Sequence, residues 1–328
     1  MFCAEMICDR RRPLVLTSPT MRNESDLFTI AWAKHFAPDA IPSPDPPSEL
    51  SHYTTAKGLL GICKSNHLWA TCARYSNDRS EVTYAQEVLE RFKKQLAGLG
   101  GFTFQRTLEN YVGELDDAYI VSFCAATDLL SQWRGYGKRL GFEIRFSSMA
   151  LAHKQPSGSE VPLNSPAVSH AYWAKIEYRP KKQKRLLENI LNRVSQVTEE
   201  LGALARKKDI GLLLGLHTGE QITEWIYTIK HPKFAGEQEW RIIAFHKAGS
   251  SAAPKGKAQN VEFREGQHGI VPYLEFSPPD KVKLPLVKVV CGPGGHETLT
   301  RKSVELLLAQ YGFSKCRVTT SKVPLNGA

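Results

Sequence analysis

The sequence contains no CxxC pair, and its seven cysteines (Cys3, Cys8, Cys63, Cys72, Cys124, Cys291 and Cys316) are scattered along the chain. That pattern supports neither a structural zinc site nor a disulfide framework, and it fits a reducing, cytoplasmic setting. No run of about 18 apolar residues occurs, which argues against a membrane-spanning helix. The opening stretch MFCAEMICDRRRPLVLTSPTM puts its charges after a short apolar segment, the wrong order for a secretory signal. Residues 1–20 therefore read as a loose extension, with Met21 an alternative start. No internal repeat is visible. Gly292, Gly294 and Gly295 precede a helix but match neither the P-loop nor the GxGxxG pattern, so a tight turn accounts for them. A carboxylate cluster with metal-ligand spacing is also missing, which disfavours a nuclease.

What is present suffices for a substantial core. The chain has 328 residues, 42% of them hydrophobic, enough for one large domain or two ordinary ones. Its net charge of +10 and pI near 9.2 favour anionic partners, or describe no more than a basic face.

Read in order, residues 22–36 predict a helix with Leu27, Ile30, Ala31 and Ala33 toward a core. Five prolines between Pro38 and Pro47 then make an extended linker. Leu50–Tyr53 predicts a strand, Thr54–Ser65 a helix capped near Thr54 or Thr55, and Leu68–Thr71 a second strand. Val82, Ala85, Leu89, Phe92 and Leu96 predict one amphipathic helix, with Asp78 and Glu81 as a capping pair. Beyond Gly101 the chain reads as a polar connection to a strand at Tyr119, and DLLSQWRGYGKRLGFEIRF as a glycine-punctuated turn between paired strands. A strand over 171–178, a long amphipathic helix over 186–204 and a helix over 222–229 follow. The chain closes on strands at EWRIIAF, VEFRE, IVPYLEF and PLVKVV, then a helix and a last strand. Helices and strands alternate without a βαβ rhythm, so the expected class is α+β with mixed, mostly antiparallel sheets and flanking helices. The expected division is a 1–49 extension with linker and a single 50–328 domain carrying a helical insertion at about 180–232.

Three groups of residues could carry chemistry. On a strand, Glu237 and Glu239 would share one face, a pairing that suits stabilisation of developing positive charge or base catalysis. Alternatively they form a surface pair with Arg241. His52, beside Tyr53 and Thr54 at a strand end, could bond a ribose hydroxyl, or be satisfied by backbone. Tyr75 could stack on a ligand ring or cap the preceding strand, and Asn77 and Asp78 are either ligand groups or the helix cap. Arg134, in the Gln132–Tyr136 cluster, could grip a pyrophosphate or sit in a structural ion pair. Between Lys175 and Asp209 there are ten Lys or Arg against five Asp or Glu. Lys181, Lys182, Lys184 and Arg185 there form a nucleic-acid-facing array or a solvated face.

The HYT strand, the aromatic residue after the second strand and the distant Glu-x-Glu resemble the His, Tyr, Glu signature of the mono-ADP-ribosyltransferase superfamily. That resemblance implies a split core and NAD as substrate. It places His52 and Tyr53 or Tyr75 on the dinucleotide, Glu239 at the nicotinamide ribose and Glu237 at the acceptor, with Thr54, Asn77 and Arg134 as further candidate contacts to the same ligand. It further implies a protein or nucleic-acid acceptor, a toxin or phage-defence role, and an antitoxin or inhibitor partner. The blocks LSHYTT, ARYSND, DLLSQWRGYG, KHPKFAGEQEWR, IVPYLEF and VVCGPGG, in that order, more closely resemble the bacterial domain-of-unknown-function family 2971. Similar families end in a Ser-x-x-Pro-Tyr-Arg type segment where this chain has Ser321, Lys322, Val323, Pro324, Leu325 and Asn326.

Overall fold

The computed structural model describes residues 19–36, 41, 45–75, 80–113, 118–136, 141–151, 153–154, 160–161, 165, 168–246, 261–266, 269–278, 282–294 and 296–324. Asn77, Asp78 and the residues before Pro19 lie outside them, as does the capping role read for Asp78. In chain order the elements are α1 (Pro19–Phe36), β1 (Glu49–Thr55), α2 (Ala56–Ser65), β2 (Leu68–Cys72), α3 (Ser80–Glu90), α4 (Lys93–Ala97), α5 (Phe102–Gly113), β3 (Ala118–Cys124) and α6 (Leu130–Tyr136). There follow β4 (Gly141–Ser147), α7 (Ser148–Leu151), β5 (His153–Lys154), β6 (Glu160–Val161), β7 (Val168–Lys175), α8 (Pro180–Leu201) and α9 (Lys208–Thr228). The last are β8 (Glu239–His246), β9 (Glu262–Gly266), β10 (Gly269–Phe276), β11 (Leu286–Cys291), α10 (Glu297–Gln310) and β12 (Arg317–Thr320).

This is the expected mixed α+β class. One open sheet carries the order β12-β11-β4-β1-β3-β2-β10-β9, and β8 joins both β3 and β7. Every named pairing in it is antiparallel except β11 with β12. One face, with Ala118, Ile120, Ala174 and Ile243, is covered by α1, α3, α5, α8 and α9. The other, with Leu50, Val121, Phe123, Ile144 and Trp240, packs beneath α2 and α10. No described helix is long and apolar enough to cross a membrane.

The local reasons are plain in several elements. Leu187, Ile190, Leu191, Val194 and Val197 line the buried side of α8 at three-and-four spacing, and each such side chain contributes about 1.5–3 kcal/mol on burial. Thr55 caps α2 by accepting from Gly58 N at 3.3 Å. Other elements depart from the sequence reading. In α1 the buried apolar residues are Phe28, Ala31 and Phe36, whereas Leu27 and Ile30 are 51% and 61% exposed. The stripe is rotated because the aromatic rings, the larger apolar surfaces, take the side facing α8 and α9. The single helix expected over 82–96 breaks into α3 and α4 at Arg91 and Phe92. The polar connection after Gly101 is α5, whose Phe104 and Leu108 are buried. A Cβ on Gly215 of α9 would lie 2.7 Å from Thr107 Cβ, so glycine lets the two helices close to backbone distance. Residues 130–136, for which the sequence reading named no element, form α6.

The placing of β1 and β2 matters most for function. Both pair with the same edge of β3, β1 at Cys124 and β2 at Tyr119 and Ile120. Between those points the sheet divides into two wings, leaving a fork along Val121–Phe123. An exposed ion pair, Lys57 Nζ to Glu265 Oε2 at 2.9 Å, ties the start of α2 to β9.

Candidate functional site

Strand register lines up Ser51 with Cys124, Cys124 with Glu239, and Ser122 with Arg241, so these side chains share the face that carries α8 and α9. Ser51 also pairs with Arg145, and Tyr53 with Glu143, which extends the polar row onto β4. In β3 the exposed residue of this row is Ser122, between buried Val121 and Phe123. A solvent-open hydroxyl in a central strand marks a notch in the sheet.

Two of the anticipated site residues meet at that notch. His52 Nδ1 lies 2.9 Å from the Ser122 carbonyl. Burial lowers the His52 pKa, and the nearby Arg264 charge adds to it. The ring is therefore neutral, Nδ1 carries the proton that the carbonyl accepts, and Nε2 is left as an acceptor. On the other side the Ser122 hydroxyl helps to hold the Glu239 carboxyl low, after the larger effects of Arg241 and Lys230. One residue thus joins His52 to Glu239. They approach it differently: His52 shares the strand parity of Leu50, its ring sits 5.8 Å from Phe123, and it reaches into the fork instead of standing on the Glu239 face.

Glu239 is buried, with 4% of its side chain exposed. Arg241 Nε donates to Oε1 at 2.7 Å and Nη2 to Oε2 at 3.1 Å, while Lys230 Nζ donates to Oε2 at 3.0 Å. Burial pushes its pKa up, but the Arg241 and Lys230 charges more than offset that and hold it at about 2. Its backbone N donates to the Tyr178 hydroxyl at 2.9 Å. Glu237 does not stand on β8 as expected: it ends a 3-10 turn, Pro232–Glu237, and Gln238 follows at φ +46°. The two carboxylates nonetheless converge, because Lys230 Nζ also donates to Glu237 Oε2 at 2.7 Å. They meet through a shared cation and not through strand alternation.

The remaining anticipated residues separate. Tyr53 is buried, edge-on to Trp133 at 5.1 Å, and its hydroxyl donates to Glu143 at 3.3 Å and accepts from Leu129 N at 3.0 Å. That ring is a core residue with no face left for a ligand. Tyr75 is 46% exposed in the turn after β2. Thr54 is buried beneath α2, where a Cβ on Gly58 would collide with its Oγ1. Arg134 is exposed on α6. Lys181, Lys182, Lys184 and Arg185 all face solvent on the first turns of α8. Gly292 serves a tight turn: its N donates to Gly141 O at 2.8 Å, and a Cβ there would lie 3.0 Å from the Trp133 ring.

Residues that sequence reasoning did not single out complete the site: Ser122, Lys230, Arg264 and Glu143. Glu143 is fully buried and accepts from Ser51 Oγ, Arg145 Nε, Tyr53 Oη and Asp128 N. Asp128, at φ +54°, accepts in turn from Trp133 Nε1 at 2.8 Å and from Ser321 Oγ, so the tail folds back on this network. Between the two glutamates sits the Cys124 thiol, pushed far up by burial and then by the surrounding carboxylates, hence an unreactive thiol. Among the described residues no group of three or more His, Cys, Asp or Glu could hold a metal ion.

Residues 132–242 match the family described as "Protein of unknown function (DUF2971)". The matched segment runs from α6 to β8 and contains Glu143, Arg145, Lys230, Glu237, Glu239 and Arg241; His52, Tyr75 and Arg264 fall outside it. No curated protein and no solved structure matches the chain.

Proposed function

We propose that the fork binds NAD and that the chain transfers ADP-ribose to a macromolecular acceptor, a glycosyl-transfer reaction. The observation that supports this is Ser122, exposed in the notch and joined to His52 through its carbonyl and to Glu239 through its hydroxyl. Neutral His52 offers Nε2 to a ribose hydroxyl, and Tyr75 offers an exposed ring to nicotinamide. As the bond from ribose C1′ to nicotinamide breaks, its electron pair leaves with neutral nicotinamide and positive charge develops on the sugar. Glu239 is ionised at any pH well above 2 and requires no proton transfer before it can stabilise that charge. The acceptor nucleophile then bonds to C1′, with Glu237 as the base that takes its proton. The toxin or phage-defence role, and a restraining partner, extend the same reading.

The test incubates purified protein with labelled NAD and cell lysate, comparing wild type with Glu239→Gln. Wild type should release nicotinamide and label an acceptor, and the variant should lose about 10²–10³-fold in rate. Absence of transfer, nicotinamide release and NAD binding in the wild type would overturn the reading. A second reading is favoured by the occupied state of Glu239, whose two oxygens are both taken by Lys230 and Arg241. On that reading the fork binds a nucleotide without turnover, and the exposed lysines of α8 hold nucleic acid. Binding without nicotinamide release, with salt-sensitive retention on nucleic acid lost when Lys181, Lys182, Lys184 and Arg185 are neutralised, would select it.

A further inference from the structure

The wing made by β2, β10 and β9 carries a second cluster on the Glu239 side of the sheet. Strand register aligns Thr71 with Tyr273 and Arg264 with Val271, and Trp69 lies two residues before Thr71 on β2. The Arg264 guanidinium lies 5.6 Å over the Trp69 ring and 5.8 Å over Tyr273. Its Nη2 donates to Thr71 Oγ1 at 2.5 Å. Two aromatic faces and a hydroxyl therefore fix the plane and direction of a permanently charged fork of donors. Beneath it the indole Nε1 of Trp69 is buried and has no hydrogen-bond partner among the described residues. A buried donor left unmet is costly, so an acceptor is the group this place calls for. The Arg264 charge is also felt at His52, so the two lie within electrostatic reach of one another.

We propose that Arg264 and the Trp69 indole N–H form a phosphate subsite at the β9 end of the fork, which holds the pyrophosphate of a dinucleotide whose ribose is met at His52. The dinucleotide part rests on the NAD reading above; the phosphate part does not. Guanidinium and indole N–H both donate, and a phosphate offers oxygens to each. A nucleoside without phosphate has nothing to gain there.

Calorimetric titration of the full chain with inorganic pyrophosphate, ADP-ribose and adenosine tests this, using Arg264→Gln, Arg264→Lys and Trp69→Phe. Arg264→Gln should weaken pyrophosphate and ADP-ribose by about 10–100-fold, the loss of one charge-assisted contact, and leave adenosine unchanged. Arg264→Lys keeps the charge without the planar fork and should recover only part of the loss. Trp69→Phe removes a single N–H and should cost about 5-fold on the same two ligands. If Arg264→Gln does not fold, the other two variants carry the test. Equal affinities in Arg264→Lys, Trp69→Phe and wild type would overturn the subsite, as would an equal loss for adenosine. Pyrophosphate binding that depends on Arg264, in a protein that neither binds nor cleaves NAD, would leave the subsite standing and remove the transfer reading. NAD turnover with KM unmoved by Arg264→Lys and Trp69→Phe would do the reverse. A wild type that binds no phosphate ligand removes the subsite.

Discussion

Two strands carry the same short device. On β4, Glu143 is followed two residues later by Arg145, and on β8 Glu239 is followed by Arg241; in each pair Nε donates to Oε1 at 2.7 Å. Both glutamates are buried on the same side of the sheet. Their remaining partners differ. Glu143 is completed by neutral donors, Ser51 Oγ, Tyr53 Oη and Asp128 N, under the cover of Trp133. Glu239 is completed by a second cation, Lys230, and by the hydroxyl of exposed Ser122. A buried glutamate–arginine pair is thus not in itself a site. What separates the two is the set of remaining partners: neutral donors at β4, where Arg145 itself is 19% exposed, and a second cation with an exposed serine at β8.

Removing the β4 pair should have the largest effect. Glu143→Ala orphans Arg145 and three further donors, and should cost about 3–5 kcal/mol in urea unfolding with no ligand-specific component. Lys230→Met comes next. It leaves Glu237 and Glu239 facing one another with Arg241 as the main compensation, and should cost about 2–4 kcal/mol near neutral pH. Because protonation relieves that repulsion, the difference from wild type should shrink as the pH is lowered, as followed by thermal unfolding across a pH series. The wild type supplies a third comparison. Glu239 has its pKa depressed from 4.5 to about 2, so its stabilising contribution is complete above about pH 4.5 and is lost as the pH falls toward 2. Glu239→Gln should flatten that part of the acid-unfolding curve. The smallest effect on stability belongs to Ser122→Ala, within about 1 kcal/mol by urea unfolding, because its hydroxyl lies at the surface. If Ser122 is the open end of the device, the same variant should weaken NAD binding far more than it weakens the fold; if both change little, the contrast between β4 and β8 has no functional content.

The sequence was most legible where structure is local. The long amphipathic helix is written in the spacing from Leu187 to Leu201, and the α2 cap in Thr55. Legibility failed where a distant partner decides. Phe104 and Leu108 are too few to announce α5 in a polar context, and it is the glycines of α9 that make room for them. Trp133 lies on a helix because its indole is held by Asp128 and its ring by Tyr53 and Gly292, none of which periodicity reports. Of the site, His52 and Glu239 could be picked out by residue type and motif. Ser122 and Arg264 could not, since a serine in an apolar strand and an arginine in a short hairpin acquire meaning only once β1 and β2 are seen to share one edge of β3. Glu237 shows a subtler limit: the pairing with Glu239 was anticipated, but Gln238 in the left-handed region and Lys230 bring it about.

The shared edge of β3 also has a consequence in time. His52 reaches Ser122 across 70 residues of chain, and Ser51 reaches Glu143 across 92. Contacts of such separation form only after the intervening loop entropy has been overcome, whereas α8 and α9 can form from neighbouring residues. The notch therefore assembles later than those two helices. No fragment ending before β8 can contain it, and a nascent chain carries no complete copy of the site until the second glutamate–arginine pair has been synthesised.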